Sequence, residues 1–275
     1  MRRTSVVCLL ALAALVQLGH AEDQAVRVRY PEGSARGFLV LRNQSGTTLA
    51  SGEYSEVPHG DTIKSRMFLR FRDGSLHQET TVYSQKLAFR LISDHLVQKG
   101  RSFPNPCDMM IDVRSQSVSM LAPSSDGKAQ PPEHMDLPSD LSNGILFNLI
   151  KNLRTDAPEI KVSYLAPAAK PRMVKFAISV VKEGKFTVAG RSLKAAEWTV
   201  KAELGGLAGI VAPMIGKQPP DTHVWVAEGT VPAIVRVDTT LYAGGPVWSI
   251  QLASPTFDPA SSTAASSEAA QPMPR

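Results

Sequence analysis

Apolar and polar residues alternate with a period of two from Gly37 to Val118, and turn residues interrupt the alternation repeatedly. The segment 65–72 is the clearest case, because its apolar residues mostly fall on one face and its arginines on the other. Asp73-Gly74 follows it, a dipeptide that tolerates the positive φ angles of a tight hairpin turn. This pattern predicts an antiparallel meander.

Two further strands continue the predicted meander, at 76–83 and at 87–97. The residues expected to share one face of the second strand are Leu87, Phe89, Leu91 and Val97. Since side chains alternate between the two faces of a strand, a shift of one residue in either pairing would exchange those faces.

The period changes after the proline-containing loop 124–138, and the pattern predicts one helix near 140–154. Its apolar stripe consists of Ser142, Ile145, Leu146, Leu149, Ile150 and Leu153. Ser139 is the expected N-cap, and Pro158 prevents the helix from continuing. Strand-like runs resume at 160–165, 174–181, 186–188, 193–201, 223–227, 233–242 and 247–252.

Many strands around one central helix predict a mainly β fold. We expect a single, strongly curved antiparallel sheet, a half-barrel, with the helix packed on its concave face. A closed barrel and a two-sheet sandwich remain alternatives. A sheet that curls around one helix creates a natural cavity for a ligand.

The first 21 residues have the features of a cleavable secretory signal. Arg2 and Arg3 precede an apolar run from Val6 to Leu18, which is too short to cross a bilayer as a helix. Cleavage is predicted after Ala21, and an uncleaved anchor is the alternative. The protein is therefore expected to be periplasmic or extracellular, with no transmembrane segment after cleavage.

Composition narrows the functional classes further. The net charge of +5 falls by two when the signal is removed, an excess too small to predict nucleic-acid binding. Cys107 is then the one cysteine left, so no internal disulfide is expected, and a buried structural thiol is favoured over a reactive one. We expect one domain at 22–253, followed by a disordered Ser/Ala/Pro tail at 254–275.

A C-terminal hairpin carries a family resemblance. Val224-Trp225-Val226-Ala227, a turn, and Val231-Pro232-Ala233-Ile234-Val235-Arg236-Val237 resemble the closing hairpin of periplasmic lipoprotein-carrier-like (LolA-like) half-barrel proteins. The central helix between two groups of strands is similar too. The resemblance implies a periplasmic β fold whose concave face holds acyl chains or the lipid anchor of a partner.

The segment 205–215, GGLAGIVAPMI, is the best candidate for ligand binding. It is apolar and rich in glycine, and it is too short to span a membrane. The predicted ligand-binding residues are Leu207, Ile210, Val211, Met214 and Ile215. A loop packed into the core is the equally weighted alternative.

Signals for catalysis are sparse, and no catalytic residue, metal site or cofactor is predicted. His77 and His95 would face each other across a hairpin in one register, which would bring a metal or hydrolase site within reach of Glu79. The arginine face formed by Arg66, Arg70 and Arg72 has two interpretations. We favour cross-strand pairing with Glu79, Asp108 or Asp112 over binding to anionic headgroups.

Three functions follow in order of preference. The first is a non-enzymatic exported domain that binds an apolar ligand, a lipid or acyl chain, in a concave sheet. The second is a structural or protein-binding envelope component that docks a partner through a sheet edge or its tail. The third is a hydrolase of unrecognised type.

Overall fold

The computed structural model describes residues 25–120, 131–168, 170–188, 191–203 and 219–257. Within these ranges the chain forms one sheet of fourteen antiparallel strands and a single helix, so the prediction of a mainly β fold is confirmed. The first eight strands are β1 (Ala35–Arg42), β2 (Thr48–His59), β3 (Thr62–Phe71), β4 (Leu76–Ser84), β5 (Arg90–Lys99), β6 (Cys107–Asp112), β7 (Ser117–Met120) and β8 (Glu133–His134). After the helix α1 (Leu146–Asn152) follow β9 (Ile160–Ala166), β10 (Arg172–Val188), β11 (Arg191–Glu203), β12 (Thr222–Ala227), β13 (Ala233–Thr239) and β14 (Trp248–Phe257).

The strand order joins the two halves of the chain into one sheet. It runs β8-β7-β6-β5-β4-β3-β2-β1-β14-β13-β12-β11-β10-β9, so each half is a meander and the pairing of β1 with β14 joins them. Among the described residues β8 and β9 stand at opposite ends and do not pair with each other. The hydrogen-bonded ladder is therefore open.

The hairpin between β3 and β4 forms at the predicted turn. Gly74 has a φ of +85°, which favours glycine, and the Asp73 carboxylate accepts a hydrogen bond of 2.9 Å from the backbone N–H of Ser75. The assignment of residues to the two faces of β5 was partly wrong. A bulge between the Val82–Ser93 and Tyr83–Leu91 pairs reverses the alternation, so Leu96 is buried rather than Val97. Leu87 precedes β5 and is 81% exposed.

The helix is shorter than predicted, because the residues before it bond to the sheet instead. Gly144 has a φ of +65°, outside the helical range. The Ser142 N–H and hydroxyl both donate to the Ser163 carbonyl on β9, and the Asn143 amide bonds the backbone of Leu165. The helix therefore begins at Leu146, with Ile145 and not Ser139 at its N-cap, and it ends at Asn152.

Two later strands are longer than predicted. β10 is one strand of 17 residues where two were expected, with a bulge between Val180 and Lys182. β14 extends to Phe257 and so includes the first residues of the predicted tail.

Apolar side chains cover one face of the sheet in two clusters. We call the face that packs against α1 the inner face, and the opposite one the outer face. The larger cluster joins Ile145, Leu149 and Ile150 to strand residues of both halves, such as Met109 on β6 and Ile178 on β10. The smaller one surrounds Phe103 and Trp248. The inner face beneath α1 is thus the main core of the protein.

Candidate ligand-binding site

A network of buried polar side chains lies under α1. Asn148 donates through its amide nitrogen to the Glu32 and Glu56 carboxylates, at 3.0 and 2.9 Å. The Tyr83 hydroxyl also donates to Glu56, at 2.9 Å, and one turn along the helix the Lys151 ammonium lies 2.6 Å from Glu32. The network therefore ties α1 to the N-terminal segment, β2 and β4.

Burial controls the ionisation of this network. Loss of solvent raises the pKa of Glu32, and the repulsion of Glu56 adds to that effect, while Lys151 opposes it. The Tyr54 hydroxyl donates to Glu56 at 2.7 Å, and burial followed by the carboxylate charge holds the pKa of Tyr54 well above its usual value. Burial, followed by the charge of Glu56, also raises the pKa of Tyr83, so both tyrosines remain donors at any physiological pH.

A second pair of acids, Glu79 and Asp94, lies on the inner face of the β4–β5 hairpin. Asp94 is 1% exposed and accepts one hydrogen bond of 2.7 Å from the Thr81 hydroxyl. Its other oxygen, Oδ2, is buried without a hydrogen-bond partner among the described residues. Burial raises the pKa of Asp94 to about 7, and burial together with the charge of Asp94 raises that of Glu79 well above its usual value.

A cavity of about 110 Å³ lies beside these polar groups, between α1 and the inner face. Its apolar wall consists of Leu39, Met67, Phe147, Ile234, Val235, Val237, Ile250 and Leu252. The polar groups that reach it include Tyr54, Glu56, Ser65, Glu79, Thr81, Asn148 and Lys151. Within the described part of the chain, the Glu79 carboxylate has neither a hydrogen bond nor an ion pair. The cavity is therefore a mostly apolar space whose wall holds a half-buried acid without a partner among the described residues.

The predicted ligand-binding residues Leu207, Ile210, Val211, Met214 and Ile215 lie outside the described residues. The structure describes the chain up to Glu203 on β11 and again from Pro219, just before β12. β12 pairs with β13, which supplies Ile234 and Val237 to the cavity.

His77 and His95, which one of the possible registers would place face to face, lie apart. In the register of β4 with β5, His77 pairs with Gln98 and His95 with Thr80. His77 is buried on the inner face, whereas His95 bonds Asp108 at 2.8 Å on the outer face. Within the described residues no three His, Cys, Asp or Glu side chains converge as metal ligands. The arrangement considered for the hydrolase alternative, with His77, Glu79 and His95 together, is therefore not formed.

Cys107 is buried, as expected for a structural thiol. Burial raises the pKa of this thiol to about 11, with smaller contributions from Asp108 and Asp94. The neutral thiol is a poor nucleophile at physiological pH.

Sequence reasoning missed the polar network and the cavity. Glu32, Glu56 and Asn148 are far apart in the sequence, and the residues around each of them do not distinguish it from an ordinary surface residue. Asp94 gave no signal either, because the alternation predicted for 87–97 placed it on the face opposite Leu91, and only the bulge in the β4–β5 pairing turns it toward the inner face.

Comparisons with known proteins add little to this picture. No family model and no curated protein matches the chain. One similar solved structure is the hypothetical lipoprotein YmcC from Escherichia coli K12, with 13% sequence identity over 81% of this chain and 87% of that chain. Its TM-score of 0.32 is too low to support a conclusion about fold or function. Among the described residues no helix is long and apolar enough to cross a membrane.

Proposed function

We propose that the protein is an exported, non-enzymatic domain that binds an amphipathic ligand in the cavity beneath α1. The ligand combines an apolar chain, of the acyl or lipid type, with a group that donates hydrogen bonds. The observation that carries this proposal is the Glu79 carboxyl group, which borders an apolar cavity and has no hydrogen-bond partner in the part of the chain that the structure describes. Glu79 is half-buried, and a ligand that fills the cavity would remove its remaining solvent. That removal costs free energy unless a donor reaches the group, and a ligand hydroxyl or amine supplies that donor.

The size of the cavity limits how the ligand sits. About 110 Å³ is well below the 300–1,000 Å³ common for pockets that enclose a small molecule, and an apolar cavity of ~150 Å³ holds one benzene ring. We therefore infer that the cavity takes one end of the ligand. The segment 205–215 is proposed to cover the part that extends beyond it.

We infer that the sheet curves around α1, as the resemblance to lipoprotein-carrier-like half-barrels implies. Gly144 lies against Thr81 on β4, while Ser142 bonds Ser163 on β9. β4 and β9 are nine steps apart in the strand order, which corresponds to about 43 Å in a flat sheet. Three consecutive residues span at most about 11 Å, so contact with both strands supports strong curvature.

Direct binding of a fluorescent acyl-chain probe tests the binding site. A dansylamino-undecanol probe, which carries a hydroxyl at the end of its chain, is expected to bind the protein, and Ser65→Met is expected to weaken that binding at least about tenfold, because the larger side chain occupies the cavity. The matched control is Ser51→Met, which adds the same side chain at an exposed position of β2.

A second variant, Ile210→Asp with Ile215→Asp, tests whether the segment 205–215 covers the ligand. It is expected to weaken binding of the probe without unfolding the domain.

Urea unfolding of each variant separates loss of binding from loss of the fold. Unchanged probe affinity in a folded Ser65→Met variant would reject the cavity as the site. Unchanged affinity in the folded double variant would reject the role of the segment 205–215 alone.

A further inference from the structure

The outer face of β1–β3 carries an aromatic and basic surface. Phe38 on β1 pairs in register with Glu53 on β2, which pairs with Phe68 on β3, so the two rings lie in one row across the strands. Phe38 is 65% exposed. The guanidinium carbons of Arg66 and Arg70 lie 5.3 and 5.9 Å from the centroid of the Phe68 ring.

Positive charge is in excess on this face. The strand positions of β1–β3 that face outward carry the basic residues Arg36, Arg42, Lys64, Arg66 and Arg70. Glu53 is the one acid among those positions, all of which the structure describes, and β4 has no charged residue on its outer face. Glu53 lies 3.7 Å from Arg66, and both side chains are largely exposed, so the pair neutralises little.

The acids that the sequence offered as partners for these arginines are engaged elsewhere. Glu79 lies in the cavity wall on the inner face. Asp108 bonds His95, and Asp112 accepts hydrogen bonds from the backbone N–H groups of Arg114 and Ser115. The predicted cross-strand pairing with these three acids is therefore wrong, and the side chains of Lys64, Arg66 and Arg70 are exposed to solvent.

Exposed apolar side chains accompany the charge. Val57 on β2 is 42% exposed and lies on the same face as Phe38. We call Phe38, Val57, Lys64, Arg66, Phe68 and Arg70 the outer patch. A surface that combines guanidinium and ammonium groups with an exposed phenyl ring matches the boundary between lipid headgroups and acyl chains. A soluble polyanion would use the charges and leave the phenyl and valine side chains in water.

We propose that the outer patch docks the protein on a membrane surface rich in anionic phospholipid. Lys64, Arg66 and Arg70 contact the lipid phosphates, and the Phe38 ring enters the headgroup region. This surface is opposite to the cavity and does not depend on what the cavity binds. Docking is expected to weaken as salt concentration rises, because the charges on both sides are exposed.

Sedimentation with lipid vesicles tests the proposal. The purified protein, with the N terminus that it carries after expression in its host, is mixed with vesicles of phosphatidylcholine alone or with an equal part of phosphatidylglycerol. We expect binding to the mixed vesicles only. Arg66→Gln with Arg70→Gln should weaken it about thirtyfold, at roughly a factor of five for each charge near the membrane. Phe38→Ser should weaken it without changing its dependence on salt.

Two controls make the outcome specific. Arg101→Gln with Arg114→Gln removes two exposed arginines outside the outer patch and should leave binding unchanged. Arg66→Lys with Arg70→Lys keeps the charge and should keep most of the binding. Equal losses from both glutamine pairs, or no preference for phosphatidylglycerol, would overturn the proposal. If Phe38→Ser bound the mixed vesicles as well as the unsubstituted protein does, and both bound heparin equally well, the patch would be assigned to a soluble polyanion instead.

Discussion

Gly144 is the residue on which the fit between the helix segment and the sheet depends most closely. Its φ of +65° lies in the left-handed region, and a Cβ placed there would lie 2.0 Å from the Thr81 hydroxyl oxygen and 2.7 Å from an Asp94 carboxylate oxygen. The methyl carbon of Thr81 would also lie 2.7 Å from this Cβ, so exchanging the hydroxyl and methyl positions by rotation would not remove the clash. A side chain at this position is therefore opposed by backbone conformation and by packing together.

Gly144→Ala is predicted to lower the free energy of unfolding by about 2–4 kcal/mol, combining overpacking with a left-handed alanine. Gly46→Ala is the matched control. Gly46 has a φ of +84°, but no atom of the described residues lies within 4 Å of the position that a Cβ would take, so about 1 kcal/mol is expected there. Urea unfolding measures both. Equal losses in the two variants would show that the contact with Thr81 and Asp94 has no role.

At the scale of elements, the β4–β5 hairpin holds two buried groups that titrate in opposite senses. Gln98 donates to Nδ1 of His77 at 3.0 Å, while Nε2 is buried without a partner among the described residues. Burial lowers the pKa of His77 to about 4, below its ordinary 6.5. The unfolded chain then binds more protons than the folded one between these values, so His77 makes stability rise with pH.

Asp94 acts in the other direction. Its pKa rises from an ordinary 3.8 to about 7, so the folded protein holds the extra proton, and stability falls as pH rises through this window. Glu79 and Glu32, whose pKa values are also raised by burial, add to the fall. Asp94 sets a window from about pH 3.8 to about pH 7, and with three acids against one histidine we expect the free energy of unfolding to fall as the pH rises through it.

Single substitutions separate these contributions. Asp94→Asn keeps the acceptor for Thr81 and removes the titration, so we predict a shallower loss of stability across this pH range. His77→Gln is predicted to steepen the loss. Each substitution is expected to change the slope of the free energy of unfolding against pH by at most about 1.4 kcal/mol per pH unit. Urea midpoints at several pH values give the slopes, and a steeper slope in Asp94→Asn would contradict the assignment.

Over the whole molecule, local pattern predicted the elements better than their packing. The alternation around Met67 and Leu69, together with Asp73-Gly74, was sufficient for the β3–β4 hairpin, because period and turn chemistry are local. The faces of β5 were predicted incorrectly in part, since the sequence pattern does not reveal the bulge at Ile92. The helix was predicted too long because Asn143 bonds the backbone of Leu165 on β9, and such a tertiary contact cannot be read from the local sequence.

The site was less predictable than the fold. The network of Glu32, Glu56 and Asn148 joins residues separated by 92 and 116 positions, and only the folded sheet brings them together. The residues that the sequence favoured, in the segment 205–215, were selected for apolar composition. Their contribution to binding is still a proposal, whereas the cavity beneath α1 emerged from the structure alone.

Native mass spectrometry of the protein, purified without detergent, tests the central claim most directly. The intact mass is compared with the mass after denaturation. Binding in the cavity predicts an adduct in the mass range of a fatty acid or phospholipid, lost on denaturation and depleted in Ser65→Met but not in Ser51→Met. A protein that carries no adduct, and acquires none when incubated with such lipids, would contradict the account.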